Sequence, residues 1–125
     1  MSEDPVPKHL RDFVARYIDS VAQLEALLLL RANPAEGWSG DALAKRIYID
    51  SKEALEILER LCRDGLATRT DDIFQYDGLS SEHAKLVDEL ADAYRRQLIP
   101  ITRLIHGKPR QIRAFADAFK FTKER

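Results

Sequence analysis

The amino-acid sequence predicts a mainly α-helical protein that contains a small β-hairpin. Two observations support this prediction. Apolar residues recur at helical spacing along most of the chain, and two short strand-like segments lie on either side of Asp71 and Asp72. The 125 residues have the length of one domain with a single core. A composition of 45% apolar and 33% charged residues is typical of a folded, soluble protein.

The N-terminal part of the chain predicts a flexible lead-in followed by two helices. Residues 1–7 contain two prolines and no apolar periodicity. Apolar side chains then recur three and four residues apart from Leu10 to Ile18, as in an amphipathic helix. Ser20 and Gln23 match a capping box, which predicts that a second helix occupies about residues 21–31. This helix is apolar on nearly all sides, so we expect it to be buried.

The central segment predicts a helix, a tight turn, a second helix and a hairpin. Ser39 is positioned to cap a short helix, and its inner residues are Leu43, Ala44 and Ile47. The second helix is predicted over residues 51–64, with Ser51 as its cap and Gly65 as its end. Residues 66–70 and 73–76 then predict two strands.

The C-terminal part of the chain predicts a helical arm. Residues 82–106 carry one continuous apolar stripe, as in a long helix, and Pro100 predicts a kink or a break inside it. Asp92 and Arg96 are spaced to form an ion pair on the solvent side of this helix. A last short helix is predicted over about residues 110–119.

Residues 43–51, Leu-Ala-Lys-Arg-Ile-Tyr-Ile-Asp-Ser, resemble the helix-turn-helix of the MarR-like and PadR-like winged-helix transcriptional regulators. In that pattern, small Ala44 allows the two helices to approach closely, and apolar residues on each side of the turn enter the core. The resemblance covers about residues 20–76. It implies a winged helix-turn-helix domain over residues 8–78, and a kinked C-terminal helical arm over residues 79–125 that mediates dimerisation. Two departures are Tyr48, where such families often have glycine, and the acidic wing tip at Asp71 and Asp72.

The resemblance implies a dimeric, DNA-binding transcriptional regulator. The candidate DNA-binding residues are Lys45, Arg46, Ser51, Lys52, Arg60, Arg63 and Arg69. The candidate dimerisation residues are the apolar and aromatic side chains of the first helix and the arm: Phe13, Tyr17, Tyr94, Leu98, Ile101 and Ile105.

The charges of the second helix of this unit favour an alternative. Its outward face combines cations with glutamates, and Glu56–Arg60 and Glu59–Arg63 have the spacing of local ion pairs. Carboxylates beside the cations reduce the gain from binding phosphate. The alternative function is therefore a winged-helix adaptor that binds a protein partner through an acidic, charge-balanced face. A charge-balanced helix that only faces solvent is the third interpretation.

The C-terminal segment is strongly basic. Residues 95–125 contain nine Lys and Arg residues but only Asp117 and Glu124 as acidic residues, whereas the whole chain has a net charge of −1. Three interpretations remain for its basic and aromatic end. It forms an amphipathic helix packed on its own domain or on a partner subunit, it clamps nucleic acid, or it lies on a membrane surface.

Several functional classes lack their sequence signatures. No nucleophile with an adjacent base and no Gly-rich phosphate loop is recognised, so we predict no enzyme, no catalytic residue and no cofactor. His9, His83 and His106 lie far apart without ligand spacing, so we predict no metal site. A single cysteine, Cys62, cannot form an internal disulfide; we predict a small core residue rather than a redox sensor, and a cytoplasmic location. No apolar run approaches the roughly 20 residues that span a bilayer, so no membrane association by a spanning helix is predicted.

Overall fold

The computed structural model describes residues 6–78 and 81–107 of the chain. Over these residues the protein is mainly helical with one small antiparallel hairpin, as the sequence predicts. The elements are α1 (Lys8–Tyr17), α2 (Val21–Ala32), α3 (Gly40–Ile47), α4 (Ser51–Arg63), β1 (Ala67–Thr70), β2 (Ile73–Tyr76), α5 (Ser81–Arg96) and α6 (Leu98–His106). The last predicted helix, residues 110–119, lies outside the described residues.

The predicted capping box forms only in part at the junction between α1 and α2, because the Gln23 side chain bonds to the residue before the Ser20 cap and not to Ser20 itself. The Ser20 hydroxyl accepts a hydrogen bond from the Gln23 backbone N–H at 3.1 Å. The side chain of Gln23 accepts from the Asp19 N–H at 2.8 Å and donates to the Tyr17 carbonyl at 2.7 Å. Gln23 is only 3% exposed, so the two bonds of its side chain satisfy a polar group that would otherwise destabilise the core. These bonds fix the direction in which α2 leaves α1.

Helices α3 and α4 pack closely through small and branched side chains. Leu43 and Ala44 of α3 are buried together with Ala54 and Leu58 of α4. The predicted cap of α3 is confirmed, because Ser39 accepts a hydrogen bond from the Ala42 N–H at 3.1 Å. The α3 helix ends at Tyr48, whose φ of +63° places it in the left-handed region. The turn therefore has the backbone conformation that glycine adopts most easily.

The hairpin is held against the segment that precedes α3. Strands β1 and β2 are antiparallel, with Ala67 opposite Tyr76 and Thr70 opposite Ile73. Trp38 forms an isolated antiparallel bridge with Phe74, through two backbone hydrogen bonds of 2.7 and 2.8 Å. A Cβ atom on Gly37 would lie 2.3 Å from Cγ2 of Ile73, so any other residue here would force the Ile73 side chain to shift. Trp38 is buried at the entry to α3.

The C-terminal arm is broken, as Pro100 predicts. Helix α5 ends at Arg96 and α6 begins at Leu98, with Gln97 between them, so the break lies where Pro100 cannot bond to the Arg96 carbonyl. Pro100 is the third residue of α6. The first turn of a helix needs no intrahelical N–H donors, so proline is accommodated there without losing a hydrogen bond. The expected pair of Asp92 and Arg96 is present, at 2.8 Å.

One hydrophobic core includes side chains from the N-terminal helices, the α3–α4 unit, the hairpin and the C-terminal arm. Helix α1 packs against α5 and α6, while α2 contacts α3, α4, α5 and β2. The fully buried side chains come from every part of the described chain, and they include Leu24, Leu27, Leu58, Phe74, Leu90 and Ile105. Among the helices described, none combines the length and apolar character needed to cross a membrane.

Candidate nucleic-acid interface

The exposed side of α4 is the most accessible charged surface of the α3–α4 unit. Ala54, Ile57, Leu58 and Leu61 turn toward the core and are buried. The opposite side is exposed, and we call it the outer face of α4; it consists of Lys52, Glu53, Glu56, Glu59 and Arg63. This separation of apolar and charged residues places the helix on the surface of the protein with a full face available to a partner.

The N-terminus of α4 differs from the prediction in one atomic detail. Ser51 was expected to cap the helix, but Asp50 does so, because its Oδ1 accepts a hydrogen bond from the Glu53 N–H at 2.7 Å. Ser51 is the first helical residue, and it is exposed. The capping carboxylate places a negative charge where a phosphate would otherwise meet free backbone amides. The Asp50 cap therefore weakens the case for an anion at this position.

Arg60 is paired with carboxylates of its own chain. Its guanidinium forms an ion pair with Asp19, in the connection between α1 and α2, and lies 3.7 Å from Asp64. The predicted pair with Glu56 is replaced by these contacts, because the N-terminal end of α2 brings a carboxylate close to α4. The side chains of Arg60 and Asp19 are partly buried, 32% and 17% exposed, so the pair is better shielded from solvent than a fully exposed ion pair. Arg60 therefore fastens α4 to the N-terminal helices.

Arg69 is also engaged, at the hairpin. Its guanidinium lies 3.6 Å from Glu59 and 3.5 Å from Asp72, and its Nε donates to the Asp71 carbonyl at 2.7 Å. It also lies 5.0 Å from the centre of the Phe74 ring. Glu59, which was expected to pair with Arg63, thus pairs with Arg69 across the gap between α4 and the hairpin. The charge of Arg69 is balanced by these carboxylates.

Four of the predicted DNA-binding cations remain accessible. Lys45 and Arg46 are exposed in the last turn of α3, Lys52 is exposed in the first turn of α4, and Arg63 is exposed near its end. Within the described part of the chain, none of these four forms an ion pair. The Arg46 guanidinium lies 5.8 Å from the centre of the Trp38 ring, which supports its side chain on an aromatic surface. These four residues are the ones that could meet phosphate.

The predicted dimerisation residues separate into two groups. Phe13, Ile101 and Ile105 are buried in the chain's own core, so their side chains are not available to a second subunit. Leu98 is 52% exposed and its neighbour Ile99, which was not predicted, is 60% exposed. The apolar stripe of the arm is present, but much of it is covered by the chain's own helices α1 and α2.

The two tyrosines of the predicted interface are half-buried. Tyr17 packs on Phe13 with ring centres 4.9 Å apart, and on His83 at 5.5 Å. The hydroxyl of Tyr94 donates a hydrogen bond to Oε2 of Glu25 at 2.8 Å. Both side chains therefore make contacts within the chain while keeping part of their surface accessible.

Cys62 is a packing residue. It is half-buried and lies against the core, as predicted. Burial raises the pKa of its thiol, which keeps the thiol protonated and less reactive. Residues 6–78 and 81–107 contain no group of three histidine, cysteine or acidic side chains that could hold a metal ion. His9 lies 3.2 Å from Glu89 at the surface.

Tyr48 is a candidate site residue that the sequence indicates only through its unusual position in the turn. It is 92% exposed and has a left-handed backbone, which costs a residue with a Cβ atom about 1–2 kcal/mol. In the described chain, the other residue with a positive φ that is not glycine is Asp71, at +56°. Aspartate adopts this conformation more readily than tyrosine does. The available sequence signal was the presence of tyrosine at a position suited to glycine.

Comparison with known proteins adds no family assignment to these observations. A scan against models of protein families found no match, and a search of curated proteins found no similar sequence.

Proposed function

We propose that this protein is a DNA-binding transcriptional regulator of the winged helix-turn-helix type, acting in the cytoplasm. The observation that carries the proposal is the α3–turn–α4 unit, followed directly by a hairpin, with the outer face of α4 exposed. The bridge between Trp38 and Phe74 adds support, since it ties the segment before α3 to the hairpin in one small sheet. The hairpin would then be the wing.

In this proposal α4 enters the major groove of DNA as the recognition helix. Lys52 and Arg63 lie eleven residues apart, which corresponds to about 17 Å along the helix axis. They would contact DNA phosphates near the two ends of α4, while Lys45 and Arg46, at the end of α3, would contact the sugar-phosphate backbone of the DNA. Arg60 and Arg69, which were candidates from the sequence, would serve mainly to hold the unit together because both are paired within the chain.

Salt dependence provides the test of DNA binding. A duplex is first selected from a random library with the wild-type protein, and its affinity is then measured by fluorescence anisotropy between 50 and 200 mM salt. Lys52→Ala is expected to weaken binding and to reduce the slope of log affinity against log salt by about one, because one phosphate contact is lost.

Lys85→Ala is the matched control, since it removes the same charge from an exposed position on α5. It should leave both affinity and slope nearly unchanged. A wild-type protein that selects no duplex would contradict the proposal, and so would equal effects of the two substitutions.

The second candidate is an adaptor that binds a basic protein segment. The observation that favours it is the acidity of the exposed surface, where Glu53, Glu56 and the wing-tip residues Asp71 and Asp72 face solvent. An open cleft of about 370 Å³ also runs between α4 and the start of α2, with both carboxylates and arginines in its lining. Stoichiometric capture of one protein from nuclease-treated lysate, lost in the Glu53→Lys/Glu56→Lys variant, would support this function over DNA binding.

The proposed regulator acts as a homodimer. Leu98 and Ile99 are adjacent, apolar and more than half exposed at the start of α6. Tyr94 lies four residues before Leu98, near the end of α5, and both Tyr94 and Tyr17 keep accessible surface. A second copy that covers Leu98 and Ile99 would remove this apolar surface from water.

A further inference from the structure

We infer that Tyr48 is a DNA-contacting residue, whose hydroxyl binds a backbone phosphate and whose ring packs on the adjacent sugar. This inference rests on the proposed function and adds to it a residue that the charge pattern did not indicate.

The side chain of Tyr48 contributes little to the fold. At 92% exposed, it is almost entirely in solvent, so it buries almost no apolar surface. Tyr48 acts in the fold through its backbone, which ends α3. Its N–H donates to the Ala44 carbonyl, and its φ of +63° turns the chain out of the helix. Glycine or asparagine would perform that task with less strain. Tyrosine is therefore unfavourable for the turn and gains no packing in return.

The surroundings of Tyr48 fit a polyanion. Lys45 and Arg46 precede it by three and two residues, and Lys52 follows it by four. All three cations are exposed, and they have no ion-pair partner among the described residues. Asp50, which caps α4, is the one acidic residue between positions 42 and 52, so its negative charge offsets only one of these three cations. An exposed aromatic hydroxyl within four residues of three exposed cations is suited to a phosphate and its sugar.

The place of Tyr48 also agrees with a groove-binding α4. The residue lies three positions before the first residue of α4, Ser51. Recognition helices contact base edges with their N-terminal residues, so the turn that precedes them lies close to the DNA backbone. The hydroxyl would donate a hydrogen bond to a phosphate oxygen there.

The test compares stability with DNA affinity in the same variants. Tyr48→Gly and Tyr48→Asn remove the side chain and keep a residue that accepts a left-handed backbone. Both should keep the wild-type Tm or raise it by a few degrees. Both should also weaken binding to the selected duplex by about tenfold, as expected when an aromatic contact residue is removed. Tyr48→Phe, which lacks only the hydroxyl, should lose about threefold.

Asp71→Gly is the matched control, because it changes the other left-handed residue that is not glycine in the described chain. It removes a negative charge from the wing tip, so DNA affinity should be unchanged or slightly higher.

The outcomes separate the two proposals. A wild-type protein that binds no duplex at 50 mM salt overturns the proposed function and this inference together. Binding that is weakened by Lys52→Ala but is the same in Tyr48→Gly overturns the inference alone. A Tm that falls in both Tyr48→Gly and Tyr48→Asn would show that the side chain supports the fold, which also overturns it. If Tyr48→Gly lost the ability to capture a protein partner but kept its DNA affinity, Tyr48 would belong to a protein interface. That result would also overturn the inference.

Discussion

At the scale of single residues, Tyr94 shows how one side chain couples two helices. Its hydroxyl, on α5, donates a hydrogen bond to Glu25 on α2. Burial and this hydrogen bond raise the pKa of Tyr94 to about 12, since removing the proton would place a second negative charge beside the carboxylate. The protonated tyrosine is thus favoured in the folded protein.

This pKa predicts a loss of stability in strong base. The folded-state pKa lies above the ordinary value of 10, so the contribution of Tyr94 is complete below about pH 10 and is lost as the pH rises toward 12. Absorbance at 295 nm should show a tyrosine that ionises late in the native protein and at its ordinary pH in urea. Tyr94→Phe should remove this late step.

Tyr76→Phe is the control for that assignment. The pKa of Tyr76 is also raised, in this case chiefly by burial, so its ionisation is displaced in the same direction. A titration in which Tyr94→Phe keeps the step near pH 12, while Tyr76→Phe loses it, would show that Tyr94 was assigned wrongly.

Arg60 shows the limit of local rules for single charges. Its spacing from Glu56 predicts a pair within α4, but its actual partner, Asp19, is 41 positions away in the sequence. Helical spacing identifies which residues on one helix can meet. It contains no information on a carboxylate that another segment places nearby. The availability of a cation for DNA therefore could not be predicted from α4 alone.

At the scale of secondary-structure elements, the N-terminus of α4 offers a sharp test of capping. Asp50→Ala removes the carboxylate that accepts the Glu53 N–H, and it should lower the free energy of unfolding by about 1 kcal/mol. Ser51→Ala is the matched neighbour, and should change stability by only a few tenths of a kcal/mol, because an exposed first helical residue has no capping role. Urea denaturation measures both.

The sequence alone does not show which of these two residues caps α4. Asp50 and Ser51 are both favoured cap residues, and only the backbone conformation of the turn decides which of them lies just outside the helix. If Ser51→Ala proved to be as destabilising as Asp50→Ala, the cap would be assigned to the wrong residue.

The break between α5 and α6 is a second case in which the sequence predicts a feature but not its exact position. Pro100 correctly predicts that one helix cannot continue undisturbed, because proline lacks an N–H and its ring clashes with the preceding turn. Several positions before Pro100 can absorb that disturbance. The structure places it at Gln97, where the chain bends and α6 starts a new first turn that accommodates the proline.

At the scale of the whole molecule, the exposed apolar pair of α6 predicts the oligomeric state. Sedimentation velocity at tens of micromolar should show a wild-type dimer, and Leu98→Lys/Ile99→Lys should be monomeric because two charges would then be buried in the interface. Ile73→Lys is the control, since Ile73 is similarly exposed but lies on the hairpin. Circular dichroism checks that each variant is folded. A monomeric wild-type protein would rule out the dimer.

The chain's own pattern determined which helices and strands form. The stripe from Leu10 to Ile18, the Ser20 cap and the Ser39 cap each depend on residues no more than eight positions apart, and all three reappear in the structure. Such signals are local, because turns of a helix and pairs in a capping box are set by neighbours along the chain.

Only the tertiary structure decided how these elements use their surfaces. It buried Phe13, Ile101 and Ile105 within the chain, paired Arg60 and Arg69 with distant carboxylates, and left Tyr48 in solvent. Burial and ion pairing depend on which segments meet after folding, and the same stripe or charge can face a neighbouring helix, a second copy or water. Packing therefore determined which predicted contacts remain available to a partner.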